Sequence, residues 1–410
     1  MFIKLALQSL INRKGSVVMT ILAMTVSIFV LLGVEHVRHQ AKESFTNTVS
    51  GTDLIVGART GSVNLLLYSV FRVGTPTNNI TWDSFQRISS SRNVEWAIPI
   101  SLGDSHKGYR VIGTNHDYFK YFSYGNKRSL TFLEGKPFEK MLDVVLGFDV
   151  ATKLGYKLGD KIVVAHGVSK TSFSLHDDRP FTVVGILEPT GTPVDQSLHV
   201  SLQGIEAIHI DWKQGVKIRG STLTIEQIEK MTLEPKTITA FMVGLKSRIA
   251  TFRVQRAINN YNKEPLMAIL PGVALSELWQ MMGILENTLR LVSALVLVAA
   301  LLGLSAMLLA SIRERQQEIR LLRVVGAPPF FLFLLIELEA ILISLTSIFL
   351  GAIMLYFCLE LVRDLLISHF GLHITSNIFS NSSPIFLIFV IFATLLAAAV
   401  PSFTAYKSGK

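Results

Sequence analysis

"SIRERQQEIRLLRVVGAPPFFLF", residues 311–333, sets six charged side chains within eleven positions, between two long apolar segments. A bilayer holds Arg or Glu near its centre only where function or pairing demands it, so this stretch decides how the chain is threaded. Working outward, apolar runs concentrate at 17–34, 291–309, 330–357 and 384–400, whereas 35–288 has ordinary globular composition. About 20 mainly apolar residues cross a bilayer, and all four runs are near or above that length. Only 17% of the 410 residues are charged, against about 25% in soluble domains. The pattern reads as an α-helical membrane protein with four transmembrane helices and a large mixed α/β extracytoplasmic domain between helices 1 and 2.

The net charge of +9 is unevenly placed. Lys4, Arg13 and Lys14 precede the first run. Arg313, Arg315, Arg320 and Arg323 lie between the second and third, and Lys407 and Lys410 follow the fourth. The segment between the third and fourth runs offers only Arg363. Short cytoplasmic segments retain Lys and Arg, so both termini and the 313–329 connector are expected inside and 35–288 outside. This placement argues against nucleic acid as a partner and for membrane lipid. The first run has the basic start of a signal peptide, but "EHVRHQAKESF" after it lacks a small-x-small cleavage site, so an uncleaved helix is expected. The single cysteine, Cys358, excludes a disulfide within one chain.

Three regions follow. Residues 1–34 hold an amphipathic N-terminal helix, "MFIKLALQSLINRKGS", lying on the membrane surface or fraying from the first span, with a bend at Gly15 and Ser16. Residues 35–288 form the α/β domain with stalks. Residues 289–410 hold the other three spans and a cytoplasmic helix at 313–325. Inside the domain, "DVVLGFDVATKLGYKLGDKIVVAHG" reads strand, helix, turn, strand, and "RPFTVVGILE", "SLHVSL" and "TITAFMVGL" read as further strands. "SRIATFRVQRAINNYN" reads as a helix, and the 57–79 segment as either a buried hairpin or a surface loop.

No phosphate loop, nucleophile elbow or HExxH motif is present, so no catalytic residue is assigned, and ATP and Mg²⁺ are expected on a partner. His106, His116, His166, His176, His199 and His209, with "HDD" and "HIDW" nearby, carry the right atoms for zinc but no tight ligand spacing. They are read as ordinary histidines, with no metal ligand assigned. Glu337 and Glu339 fall about 12–15 Å into the third span, where a carboxylate acts as a proton relay or as a pairing group for Arg13, Lys14 or a neighbouring chain. In the connector nothing breaks a helix across 312–325. Gly326 can end it, and Pro328 and Pro329 can open the next. Such a rigid charged element suits docking to a soluble partner, and the residues alone leave equal room for charges that merely fix orientation.

"RERQQEIRLLRVVGA" resembles the R-x-x-EI-x-x-LR-x-x-GA signature of the FtsX-like, MacB-type family of ABC transporter permeases, which includes lipoprotein-releasing permeases. "LQSLINRKGSVVMTILAMTVSI" is similar to the family's first span, and "SGTDLIVGA" to the start of its outer domain. "VVLGFDVATKLGYKLGDKI" with "FTVVGIL" resembles its periplasmic core, and "AAAVPSFTAYKS" its closing segment. The resemblance implies a non-catalytic permease subunit of a bacterial inner membrane, coupled to a cytoplasmic ABC ATPase dimer. It also implies a second copy or a homologous permease, and a mechanotransmission role without substrate passing through the bilayer. By position it implies ATPase coupling by Arg315, Glu318, Arg320, Arg323, Gly326 and Ala327, and it places Glu339 near the family's span-three glutamate. Here Pro328 and Pro329 follow Gly-Ala where the family has polar residues, and the glycine-rich stretch of span three is reduced to Gly351. Three roles remain open for the outer domain: export or extraction of a lipoprotein, peptide or amphiphile, activation of a periplasmic partner such as a cell-wall hydrolase, or zinc handling.

Overall fold

The computed structural model describes residues 2–48, 50–167, 177–213, 216–217, 227–228, 231, 233–317, 321, 324, 326, 328–370 and 383–407. Four helices are long and apolar enough to cross a membrane: Lys14–Glu43, Pro271–Glu314, Pro329–Val362 and Ile385–Lys407. Met1–Ala41 and Met282–Phe370, with the last of these helices, form one compact unit, and Lys42–Met281, which includes the end of the first long helix and the start of the second, forms another.

In the helical unit, small polar side chains link the long helices. Ser27 donates to the Val296 carbonyl (3.4 Å), Ser347 to Ile21 (3.3 Å), Ser305 to Ala397 (2.6 Å) and Thr394 to the Ser344 hydroxyl (3.2 Å). With no hydrophobic gain from leaving lipid, close backbone approach and such bonds hold membrane helices together. Gly351 shows the approach: a Cβ there would stand 3.3 Å from the Thr25 carbonyl and 3.2 Å from Ile28. The preceding helix, Phe2–Asn12, ends at Arg13 and not at the expected Gly15–Ser16 bend. Gly15 lies inside the next helix, Lys14–Thr48, and the break comes where the Arg13 side chain turns back to Ser9.

The α/β unit is built on an eleven-stranded mixed sheet. Its main path runs Leu266–Ile269, Leu54–Ala58, Ala240–Leu245, Val94–His106, Tyr109–Thr114, Ser197–Ser201, Asp143–Leu146, Phe181–Leu187 and Phe132–Gly135. Tyr109–Thr114 pairs in parallel with Ser197–Ser201, as Asp143–Leu146 does with Phe181–Leu187. The other pairings along this path are antiparallel. Strand Leu54–Ala58 is buried throughout. Ile55 joins one apolar cluster while Leu54 and Val56 join another on the opposite face, which is why "LIVGA" reads as a continuous apolar run. Within 57–79, neither the hairpin nor the loop reading holds: Ser62–Ser69 is a helix with Leu65, Leu66 and Tyr68 buried. It packs over Gly57, where a Cβ would meet Leu65 and Tyr68 at 2.7 and 2.8 Å.

The strand, helix, turn, strand reading is realised as Asp143–Leu146, helix Phe148–Leu154, a left-handed Gly155 cap and Lys161–Ile162. Gly147 between strand and helix has an ordinary φ of −67°. Its missing side chain serves close approach, since a Cβ would lie 2.2 Å from the Val194 carbonyl oxygen and 2.5 Å from that of Asp195. Backbone cannot step aside as a flexible side chain can. Gly147→Ala is therefore expected to destabilise the unit by about 1–3 kcal/mol, read as a lowered unfolding temperature of the purified chain.

Candidate functional site

Pro329 opens helix Pro329–Phe370, its fixed φ suited to a first helical position. Glu339 follows about 15 Å along the axis and is 1% exposed. Its oxygens accept from Ser9 (2.5 Å), Arg13 (3.4 Å) and Arg315 (3.2 Å). Ser9 also accepts from both arginines, at 3.0 and 2.5 Å. One carboxylate thus joins three segments: the N-terminal helix through Ser9 and Arg13, the end of helix Pro271–Glu314 through Arg315, and its own helix. Glu339 is ion-paired to two guanidinium groups of the same chain.

Arg315, expected in ATPase coupling, spends its charge inside this cluster. Arg313 and Glu314 beside it are exposed, as are Gln316 and Gln317. Leu321 and Val324 further along are 65% and 85% exposed. Gly326 adopts φ +100°, a conformation favouring glycine, and is exposed. Glu318, Arg320, Arg323 and Ala327 lie outside the described residues. Glu337, two residues before Glu339, is buried, with neither carboxylate oxygen hydrogen-bonded among the described residues.

A second polar cluster ties the first two long helices. Glu35 pairs with Arg38 (2.6 Å) and Arg290 (3.2 Å), and Arg38 reaches Glu286 (3.6 Å). Beside it lies a cavity of about 570 Å³, lined mainly by apolar side chains including Leu31, Leu297, Leu301, Phe386 and Phe389, with Glu35 and Arg290 also in its lining.

The histidines separate into different roles. His106 bonds the Val163 carbonyl (2.6 Å) and the Tyr156 hydroxyl (2.9 Å). His199 is wholly buried beside the Tyr118 and Phe119 rings, and His116 stands against Phe138. His176 lies outside the described residues. In the "HIDW" segment, Asp211 is taken by a buried pair with Arg179, while His209 meets His166 at Asp104. The sequence could not announce that meeting, because the three residues come from distant segments.

The MacB-like periplasmic core domain matches residues 17–261, and the FtsX-like permease C-terminal domain matches residues 290–409. The chain belongs to the FtsX-like, MacB-type family of ABC transporter permeases. It is a multi-pass inner-membrane protein of a family of generally non-catalytic subunits that work with a cytoplasmic ABC ATPase. Among solved structures, the periplasmic region of MacB from Actinobacillus actinomycetemcomitans is 11% identical with a TM-score of 0.36, covering 56% of this chain and 94% of that one. The extracellular domain of the noncanonical ABC-type transporter YknZ from Gram-positive bacteria is 12% identical with a TM-score of 0.32, covering 53% and 99%. No curated protein matches.

Two outcomes test these side chains. Glu339→Ala leaves two part-buried arginines without their shared carboxylate, a change that costs up to about 3 kcal/mol. Arg13→Gln is expected to cost less, because Arg315 still faces the carboxylate; thermal unfolding in detergent ranks the two. For His199, burial first and the Arg72 charge second hold the imidazole neutral, its pKa lowered to about 3. The unfolded chain takes up that proton near pH 6.5, so stability falls as pH drops from about 6.5 toward 3, by up to about 1.4 kcal/mol per unit. His199→Phe is expected to flatten this part of the melting-temperature profile.

Proposed function

We propose that the chain is the membrane subunit of a mechanotransmitting ABC transporter, docking a separate ATPase dimer through the connector at 313–325. The single observation that carries this reading is the connector's exposed surface. Leu321 and Val324 stand in the open, as do Arg313 and Glu314, where topological punctuation would need charge alone. Arg315, paired with the Glu339 carboxylate that Arg13 also faces, joins this surface to the helical unit.

In this mechanism ATP and Mg²⁺ sit on the partner, and both termini are cytoplasmic. Residues 35–288, with their stalks, form the periplasmic domain. Closure of the ATPases would press on the connector. The Glu339 cluster would pass that displacement to the N-terminal helix and the first and second spans. A second copy, or a homologous permease, would complete the assembly. The outer domain would then export or extract a lipoprotein, peptide or amphiphile. The mainly apolar cavity that also has Glu35 and Arg290 in its lining supports the amphiphile reading, since it offers apolar side chains to an acyl chain and charged ones to a headgroup.

Charge-assisted contacts to the ATPase contribute about 1.5–3 kcal/mol each when desolvated. Reversing two charges, Glu318→Lys with Arg320→Glu, is expected to cut recovery of the ATPase with the purified permease at least tenfold, with the permease's unfolding temperature unchanged. Undiminished recovery and ATPase coupling in that double variant would overturn the docking assignment.

A further inference from the structure

We propose that the α/β unit carries a divalent-metal site of zinc-binding chemistry, with Asp104, His166 and His209 as its three protein ligands. Asp104 lies near the end of the long strand Val94–His106. His166 lies directly across from it in the short antiparallel pairing, at register Asp104↔His166. His209 is the last residue of helix Leu202–His209. Each ligand therefore stands on a regular element, which holds a constellation more firmly than a loop does.

The distances suit an ion. One Asp104 oxygen lies 2.9 Å from His166 Nδ1 and 3.5 Å from His209 Nε2. The three ligand atoms all fall within 4.8 Å of one another. Bonds of about 2.0–2.2 Å in a tetrahedral zinc site separate neighbouring ligand atoms by about 3.3 Å, so contraction by an ångström or so closes the set. The two imidazoles stack 4.4 Å apart and 7° from parallel. Ligation needs each ring to turn until its lone pair meets the ion, and their side-chain exposures of 34% and 26% leave room for that.

Charge favours the same occupant. The Asp104 side chain is 4% exposed, and among the described residues its ion-pair partners are these two histidines, with no Lys or Arg. A buried carboxylate without a permanent positive partner is expensive, and a bound divalent cation supplies that charge at neutral pH. Two imidazole nitrogens and one carboxylate oxygen form a ligand set common for zinc. Nickel and copper rank beside it by affinity. Three protein ligands also leave one coordination position for water or an incoming donor.

This site stands apart from ATPase docking and survives if that reading fails. The test uses the full chain in detergent, stripped with chelator, then given zinc chloride alone. The wild type is expected to retain one zinc per chain after desalting and to unfold at a higher temperature with zinc present. His166→Asn with His209→Asn should lose both effects, with at least tenfold weaker binding, while His116→Asn should keep them. Asp104→Asn should behave like the double variant if it folds. The partly exposed histidines carry the test if it does not. Zinc content equal in wild type and the double histidine variant, or no retained zinc in the wild type, overturns the proposal.

Discussion

A buried carboxylate facing two guanidinium groups organises one end of the helical unit. Glu339 is buried, and Arg13 and Arg315 come to it from two separate segments, the first 326 residues away in sequence and the second 24. In a low-dielectric setting such a cluster is stable only when complete. The N-terminal helix, the end of the second long helix and the start of the third are therefore constrained as a set. The break at Arg13, the helix start at Pro329 and the approach of the connector all serve this one cluster.

The α/β unit rests on a different constraint, a mixed sheet with apolar clusters on both faces. Its two parallel pairings require the chain to cross over between strands, and two of its glycines allow backbone to approach backbone. A Cβ at Gly147 would stand 2.2 Å from the Val194 carbonyl oxygen, and one at Gly185 2.4 Å from that of Lys136.

Much of this is legible in the residues, and the exceptions have physical causes. The four long helices announce themselves because apolar length is a local property. "FTVVGIL" and "AFMVGL" read as strands by composition. Val94–His106 escapes because Pro99 and Gly103 interrupt its pattern, although Pro99 keeps its register partner Phe241 and Gly103 falls at the irregularity between Leu102 and Ser105. Ser62–Ser69 escapes because eight residues bracketed by glycines and polar groups show too little periodicity to announce a helix. Glu339 and Arg13 were readable as a pair, since an intramembrane carboxylate needs a cation and few were within reach. The meeting of Asp104, His166 and His209 was not, because strand register and a helix end bring it about, and no spacing along the chain encodes either.

Glu286 and Arg290 share one unbroken helix, Pro271–Glu314, and their spacing of four returns them to nearly the same side of its axis. Arg38 and Glu35 stand three apart on the opposing helix, Lys14–Thr48, and meet them through ion pairs. Each helical residue advances the direction of its side chain by about 100°. The two helices therefore form a phase-matched seam as well as a pair of struts. Adding or removing a single residue between Glu286 and Arg290 would leave the length almost unchanged and turn one ion pair of the seam away from its counterpart.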